Sequence, residues 1–231
     1  MNEILIVPDV HGREFWYPAL DFSGDVIFLG DYVDPYPADR ISPEQAVERF
    51  LKIVEFKKQN PDRVTLLVGN HEHHYLKRDF SAGRKMHGDE GDLMRSIMTT
   101  PETQSLFQLC KQVGKYLFIH AGITKDWYDR RLRYFDDLGN TLEEKLNALI
   151  FSDQTYVFYE ASLARGGLDD TGSPLWADVS EYETEEEPFD PDIIQIIGHS
   201  QRPDPVFVKN VRMLDNKQLY LLKDDKIETF V

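Results

Sequence analysis

Three segments in the first half of the chain share one pattern: an apolar run closes on a short polar stretch that carries an acid or a histidine. They are EILIVPDVHG (residues 3–12), DVIFLGDYVD (25–34) and RVTLLVGNHE (63–72). Unbroken runs of Val, Ile and Leu, without alternation, fit strands buried on both faces, as in a sheet flanked by helices. Between the second and third, SPEQAVERFLKIVEFKK (42–58) predicts a helix. Ser42 can cap it, Pro43 suits its first position and Gln45 completes a capping box. Ala46, Val47, Phe50, Leu51 and Val54 form one apolar stripe. Strand, helix, strand in this order predicts a parallel α/β arrangement, in which ligands gather at the carboxyl ends of strands.

The pattern then loosens. Residues 72–112 read as short helices with polar joints, and YLFIHAG (116–122) returns to a strand that ends at His120. Residues 125–165 read as helical, and RGGLDDTGSP (165–174) as a loop. The acidic run EYETEEEPFDPD (181–192) reads as a solvated loop, and IIQIIGHS (193–200) as a strand ending near His199. The tail from Val206 alternates apolar runs with Asn and Asp turns, which predicts antiparallel hairpins. No repeat or low-complexity linker interrupts residues 1–231, so a single domain is expected, with helical insertions at about 75–112 and 125–180.

Composition narrows the partners. The 231 residues are 41% hydrophobic and 29% charged, enough apolar side chain for a real core. A formal charge of −15 repels a phosphate backbone at long range, so nucleic acid is not expected as a partner. Two bound divalent cations would add about four positive charges at one place and could still draw an anion there. Cys110 is the only cysteine, which excludes an intrachain disulfide and suits a reducing, cytoplasmic setting. The opening residues show no signal-peptide pattern, and no apolar stretch approaches the roughly 18 residues that span a bilayer, so no membrane association is expected.

The chemistry lies in what stands at the strand ends: Asp9 and His11, Asp31 and Asp34, Asn70 and His71, His120, His199. A strand-end Asp alone is usually a turn former, and a lone His is usually a packed or surface residue. Five such stations in order, adjoined by Gly12, Gly30, Gly69, Gly122 and Gly198, are harder to read as turns. Carboxylate, amide oxygen and imidazole without thiolate suit hard or borderline divalent metals. Two ions about 3.5–4 Å apart need a bridging carboxylate, and Asp31 is the candidate.

The blocks DVHG, GDYVD, GNHE, HAG and GHS, in this order, resemble those of the calcineurin-like metallophosphoesterases, over roughly residues 1–215. GDYVD, GNHE and PLWAD (174–178) are most similar to the phosphoprotein phosphatase branch, which includes symmetrical dinucleoside tetraphosphatases. The resemblance implies an α/β fold of four layers, with two central mixed β-sheets flanked by helices and a dinuclear metal site at the strand ends. It also implies that Asp9, His11 and Asp31 hold one metal, and that Asp31, Asn70, His120 and His199 hold the other. In that scheme a hydroxide between the ions attacks phosphorus, His71 protonates the leaving oxygen and Asp34 orients His71. His73 and His74 would turn away on the following helix, into surface or packing roles.

One departure stands out. Phosphatases of this branch usually follow GDxVD with an arginine and a glycine that grip phosphate, whereas Pro35 and Tyr36 stand here. A substitute is sought among Arg13, Arg78, Arg84, Arg165 and Arg202, with Arg13 and Arg202 nearest in sequence to the expected ligands. The expected function is a metal-dependent phosphatase, a hydrolase of phosphomonoesters in protein or small metabolites. The alternative is a dinucleoside polyphosphate hydrolase, and a non-catalytic scaffold is disfavoured because every expected ligand is present. The expected cofactors are two divalent ions, Mn²⁺ first, with Fe and Zn²⁺ also suited and Ni²⁺ or Co²⁺ less so.

Overall fold

The computed structural model describes residues 3–76 and 85–230. Its strands are β1 (Ile4–Val7), β2 (Asp25–Phe28), β3 (Val64–Leu67), β4 (Phe107–Gln108), β5 (Cys110–Val113), β6 (Tyr116–Ile119), β7 (Ile194–Ile197), β8 (Val206–Val208), β9 (Val211–Met213), β10 (Tyr220–Lys223) and β11 (Lys226–Thr229). Its α-helices are α1 (Pro43–Gln59), α2 (Asn70–Leu76), α3 (Gly88–Met98), α4 (Pro101–Gln104), α5 (Lys125–Arg130), α6 (Leu142–Ile150) and α7 (Val179–Thr184). Two compact units divide these elements: Met1–Phe107 with Lys217–Val231, and Gln108–Asn216. Two mixed β-sheets with flanking helices make this an α/β fold, as the sequence predicts.

In the first unit the sheet order is β11-β10-β1-β2-β3-β4. β1, β2 and β3 run parallel, and β10 pairs antiparallel to β1. The residues of β1 are all buried, in keeping with their unbroken apolar run. The capping box on α1 forms as predicted: Ser42 Oγ accepts from the Gln45 N–H, and Gln45 Oε1 accepts from the Ser42 N–H. The α1 stripe of Ala46, Val47, Phe50 and Val54 joins Trp16, Phe28 and Tyr32 in the core, whereas Leu51, placed on the same stripe by sequence, is 44% exposed.

The second unit has the order β5-β6-β7-β9-β8, with β6, β7 and β9 parallel and the outer pairs antiparallel. Here the expected run of short helices over 72–112 needs correction, since β4 and β5 occupy its end. Val113 and Tyr116 close a hairpin through Gly114, whose φ of 58° takes the left-handed conformation such two-residue turns need. The acidic run is also corrected at its start. Asp178 accepts from the Ser180 N–H while Glu181 Oε1 accepts from the Asp178 N–H, a capping box that opens α7 and buries Tyr182. The tail forms the two predicted hairpins, β8–β9 and β10–β11, but each joins a different sheet.

Candidate metal centre

The strand-end loops of the first unit are held by unusual backbone. His11 (φ 46°), Asp31 (φ 52°) and Asp34 (φ 59°) all lie in the left-handed region, uncommon outside glycine and costing on the order of 1–2 kcal/mol each. Left-handed backbone at residues of one site is strain that the surroundings must sustain, and such strain gathers at functional positions. The sustaining contacts are visible. His11 N–H donates to the Asp31 carbonyl at 2.7 Å, and Gly12 N–H to that of Tyr32 at 2.7 Å, joining the loops after β1 and β2.

The loop after β3 is tied in by Glu72, which is fully buried. Its carboxylate accepts the backbone N–H groups of Asp31 (2.8 Å), Tyr32 (2.9 Å) and Gly69 (3.1 Å). Burial raises the Glu72 carboxyl above the usual range, and the Asp31 carboxylate adds to the rise. Gly69 is required at its place: a Cβ there would stand 2.2 Å from Asp31 Oδ1 and 2.5 Å from the Asp31 nitrogen. Sequence reading passed over Glu72, although its position as the last residue of GNHE marked it for attention.

These loops bring Asp9, His11, Asp31, Asp34 and His71 together. His11 Nδ1 lies 2.9 Å from the Val33 carbonyl, which orients the ring so that Nε2 stands 3.6 Å from Asp31 Oδ2 and 4.0 Å from Asp9 Oδ2. Ligand atoms of His11, Asp31 and His71 all fall within 4.8 Å of one another. Asp9, His11 and Asp31 are each no more than 2% exposed, and carboxylate oxygens beside imidazole nitrogen are the donors that hard or borderline divalent cations take. The donor set therefore fits a divalent metal. Asn70 is buried at the start of α2, between Gly69 and His71, whose own N–H reaches Asp31 Oδ1 at 3.1 Å.

His71 is held by contacts of its own. Its Nδ1 lies 2.5 Å from Asp34 Oδ2 and its Nε2 3.9 Å from Asp31 Oδ2. Asp34 is in turn fixed through Oδ1 by the Tyr75 hydroxyl at 2.5 Å and the Met86 N–H at 2.7 Å. Burial alone would lower the His71 pKa, but Asp31 and Asp34 more than offset it, and the net direction is up. His73 and His74 pack inside, 0% and 3% exposed. Burial, reinforced by Lys85, drops His74 to a pKa of about 4, so it stays neutral.

The second unit has a histidine pair of its own. His120 Nε2 and His199 Nδ1 approach to 3.1 Å, both rings buried, and His199 is again left-handed at φ 64°. The Gly198 N–H donates to the His120 carbonyl at 2.8 Å, fixing the ends of β6 and β7 to each other. Trp176, of the PLWAD stretch, meets the His199 ring edge-on at 5.9 Å between centroids.

The candidate anion-binding arginines differ in freedom. Arg13 is 8% exposed and engaged with Asp39 at 2.7 and 2.9 Å, with Tyr36 under its guanidinium at 5.2 Å. Arg202 is 40% exposed at its side chain and only loosely paired with Asp178 at 3.4 Å. Arg165 shares that carboxylate at 3.4 Å and donates to the His199 carbonyl at 3.2 Å. Arg78 and Arg84 lie outside the described residues.

The profile of the calcineurin-like phosphoesterases matches residues 3–203. The chain belongs to the calcineurin-like phosphoesterase family. Phosphoprotein phosphatases are among the proteins it is similar to. The serine/threonine-protein phosphatase 4 catalytic subunit of Candida glabrata is 29% identical over 124 residues, which is 51% of this chain and 34% of that protein. The chain thus matches about a third of that relative's length. A solved Saccharomyces cerevisiae serine/threonine phosphatase, described as similar to human phosphatase PP5, superposes with a TM-score of 0.54 at 17% identity, covering 99% of this chain and 79% of that one. At this identity the second likeness speaks to the phosphoesterase fold alone.

Proposed function

We propose that this phosphoesterase hydrolyses phosphomonoesters with a pair of divalent ions, Mn²⁺ being the first candidate. The observation that carries the reading is the His71–Asp34 pair: an imidazole fixed at Nδ1 by a carboxylate 2.5 Å away, its Nε2 turned toward Asp31. That is the arrangement a general acid needs, since the carboxylate sets the tautomer and stabilises the protonated ring.

Asp9, His11 and Asp31 would hold one ion, and Asp31, Asn70, His120 and His199 the other. When bound, the pair would neutralise phosphoryl oxygens and bring the acidity of an attacking water toward neutral pH. The remaining steps belong to side chains of this chain. His71 keeps a proton at Nε2 and delivers it to the leaving oxygen; Asp34, held by Tyr75 and Met86, keeps the ring in place. Arg165, which donates to the His199 carbonyl, and Arg202, which shares Asp178 with it, offer guanidinium groups for the phosphate oxygens, whereas Arg13 is closely engaged by Asp39.

The test compares turnover of a phosphoserine peptide, a panel of sugar phosphates and diadenosine tetraphosphate, each with Mn²⁺. Metal-dependent release of phosphate from a monoester, faster than cleavage of the tetraphosphate, is expected. Faster cleavage of the tetraphosphate would shift the assignment to phosphoanhydrides, and no turnover of any substrate would end it.

A further inference from the structure

A groove between α1 and α3 in the first unit has no place in this chemistry. It encloses about 350 Å³ and is lined by Glu44, Val47, Glu48 and Leu51 from α1 and by Asp89, Glu90 and Leu93 from α3. On α1 these are positions i, i+3, i+4 and i+7, one continuous face. Val47 is buried as the floor, while Leu51 and Leu93 stand 44% and 48% exposed. Two large aliphatic side chains facing one hollow mark a surface shaped to receive something.

Charge decides what. Among the described residues, all four ionisable groups of the lining are acids. Of the bases on this stretch of α1, Lys52 pairs with Glu48 at 2.9 Å and Arg49 with Glu14 at 2.8 Å, which leaves Glu44, Asp89 and Glu90 as a rim of one sign among the described residues. The chain carries a formal −15, so a second copy, a nucleic acid or an anionic lipid surface would meet repulsion here. A small apolar ligand would leave the carboxylates without use. We propose that the groove docks a basic amphipathic helix of a partner protein, its apolar residues seated against Leu51 and Leu93 and its lysines or arginines facing Glu44, Asp89 and Glu90. Helix-in-groove recognition uses this division, with apolar anchors for affinity and complementary charge for orientation.

The probe is a fluorescein-labelled peptide of about fourteen leucines and lysines, spaced so that the leucines share one helical face. Its control has the same composition permuted to scatter them. Anisotropy titrations use the whole protein and need no turnover, so the result is separable from the phosphatase assignment. The patterned peptide is expected to bind at least about tenfold more tightly than the permuted one, a difference of about 1.4 kcal/mol. Leu51→Ser with Leu93→Ser should abolish that preference. Both leucines are exposed, so this variant should melt as the parent does. Glu44→Gln with Glu90→Gln provides a second variant that leaves the apolar floor intact, and it should weaken binding severalfold and flatten its salt dependence. Equal binding of the two peptides, or a serine variant that binds like the parent, would overturn the proposal. Self-association of the protein through this face, lost in the serine variant, would also overturn it.

Discussion

The carboxylate of Glu72 accepts the backbone N–H of Asp31 at 2.8 Å, from a position 41 residues further along the chain. Asp31 is left-handed and carries the expected bridging carboxylate, so its backbone is held by a side chain that is itself shut away from solvent.

Replacing Glu72 by alanine should therefore cost more than a surface acid does. Three backbone donors lose their acceptor in a buried place, at about 1–3 kcal/mol each, with partial relief from relaxation. A drop of several kcal/mol in urea unfolding, together with loss of retained metal, is the expected outcome. Unchanged stability would show that the loops after β2 and β3 need no such tie.

His71→Asn should lower turnover by about 10²–10⁴-fold with the unfolding midpoint little changed. Elemental analysis makes the result decisive, because His71 also lies within ligand range of Asp31. A general acid leaves the metal content of the variant intact, whereas a ligand takes an ion with it.

Metal addition should raise the melting temperature. An ion at a hundred times its dissociation constant stabilises the fold by about 2.7 kcal/mol when the unfolded chain does not bind it. Mn²⁺ should therefore shift the parent upward, and Asp31→Asn should cancel most of the shift. Calorimetric scans with and without chelator measure both.

Asp178 supplies a prediction about acid. Burial raises its carboxyl, but bonds from the Ser180 N–H and hydroxyl, with Arg165 and Arg202, outweigh this and leave it below the usual carboxylate range. A depressed pKa contributes stability above the unfolded value near 3.9, and the contribution is lost as pH falls through the folded one. Asp178→Asn keeps an oxygen to accept from the Ser180 N–H and removes the charge, and its amide NH2 replaces the oxygen that accepts from Arg165 and Ser200. The variant should melt below the parent at pH 7, with the gap closing below about pH 4.

The strand ends were legible because they combine two independent signals, apolar continuity and polar termination, and both survive folding. The α1 cap was legible because Ser42, Pro43 and Gln45 act locally. The helix cap of Asp178 and Glu181 was equally local, yet a dense run of acids around it suggested only solvent. Glu72 was not legible in that way: nothing near it in sequence reveals that its donors come from residues 31 and 32. β5 pairs with β6 across Gly114, but its own sequence, CKQV, has no strand pattern, and its partner decides its conformation. His120 and His199 could be singled out as strand ends, while their 3.1 Å approach depends on β6 and β7 being neighbours.

The sheet of the first unit joins strands far apart in sequence, with β10 alongside β1. During synthesis β1 leaves the ribosome before β10 and keeps one hydrogen-bonding edge open until Tyr220–Lys223 emerges, by which time the whole Gln108–Asn216 unit has been made. For that interval the nascent chain exposes an apolar edge strand, the kind that other chains can pair with. Slow translation between these two points would lengthen the exposure of ILIV.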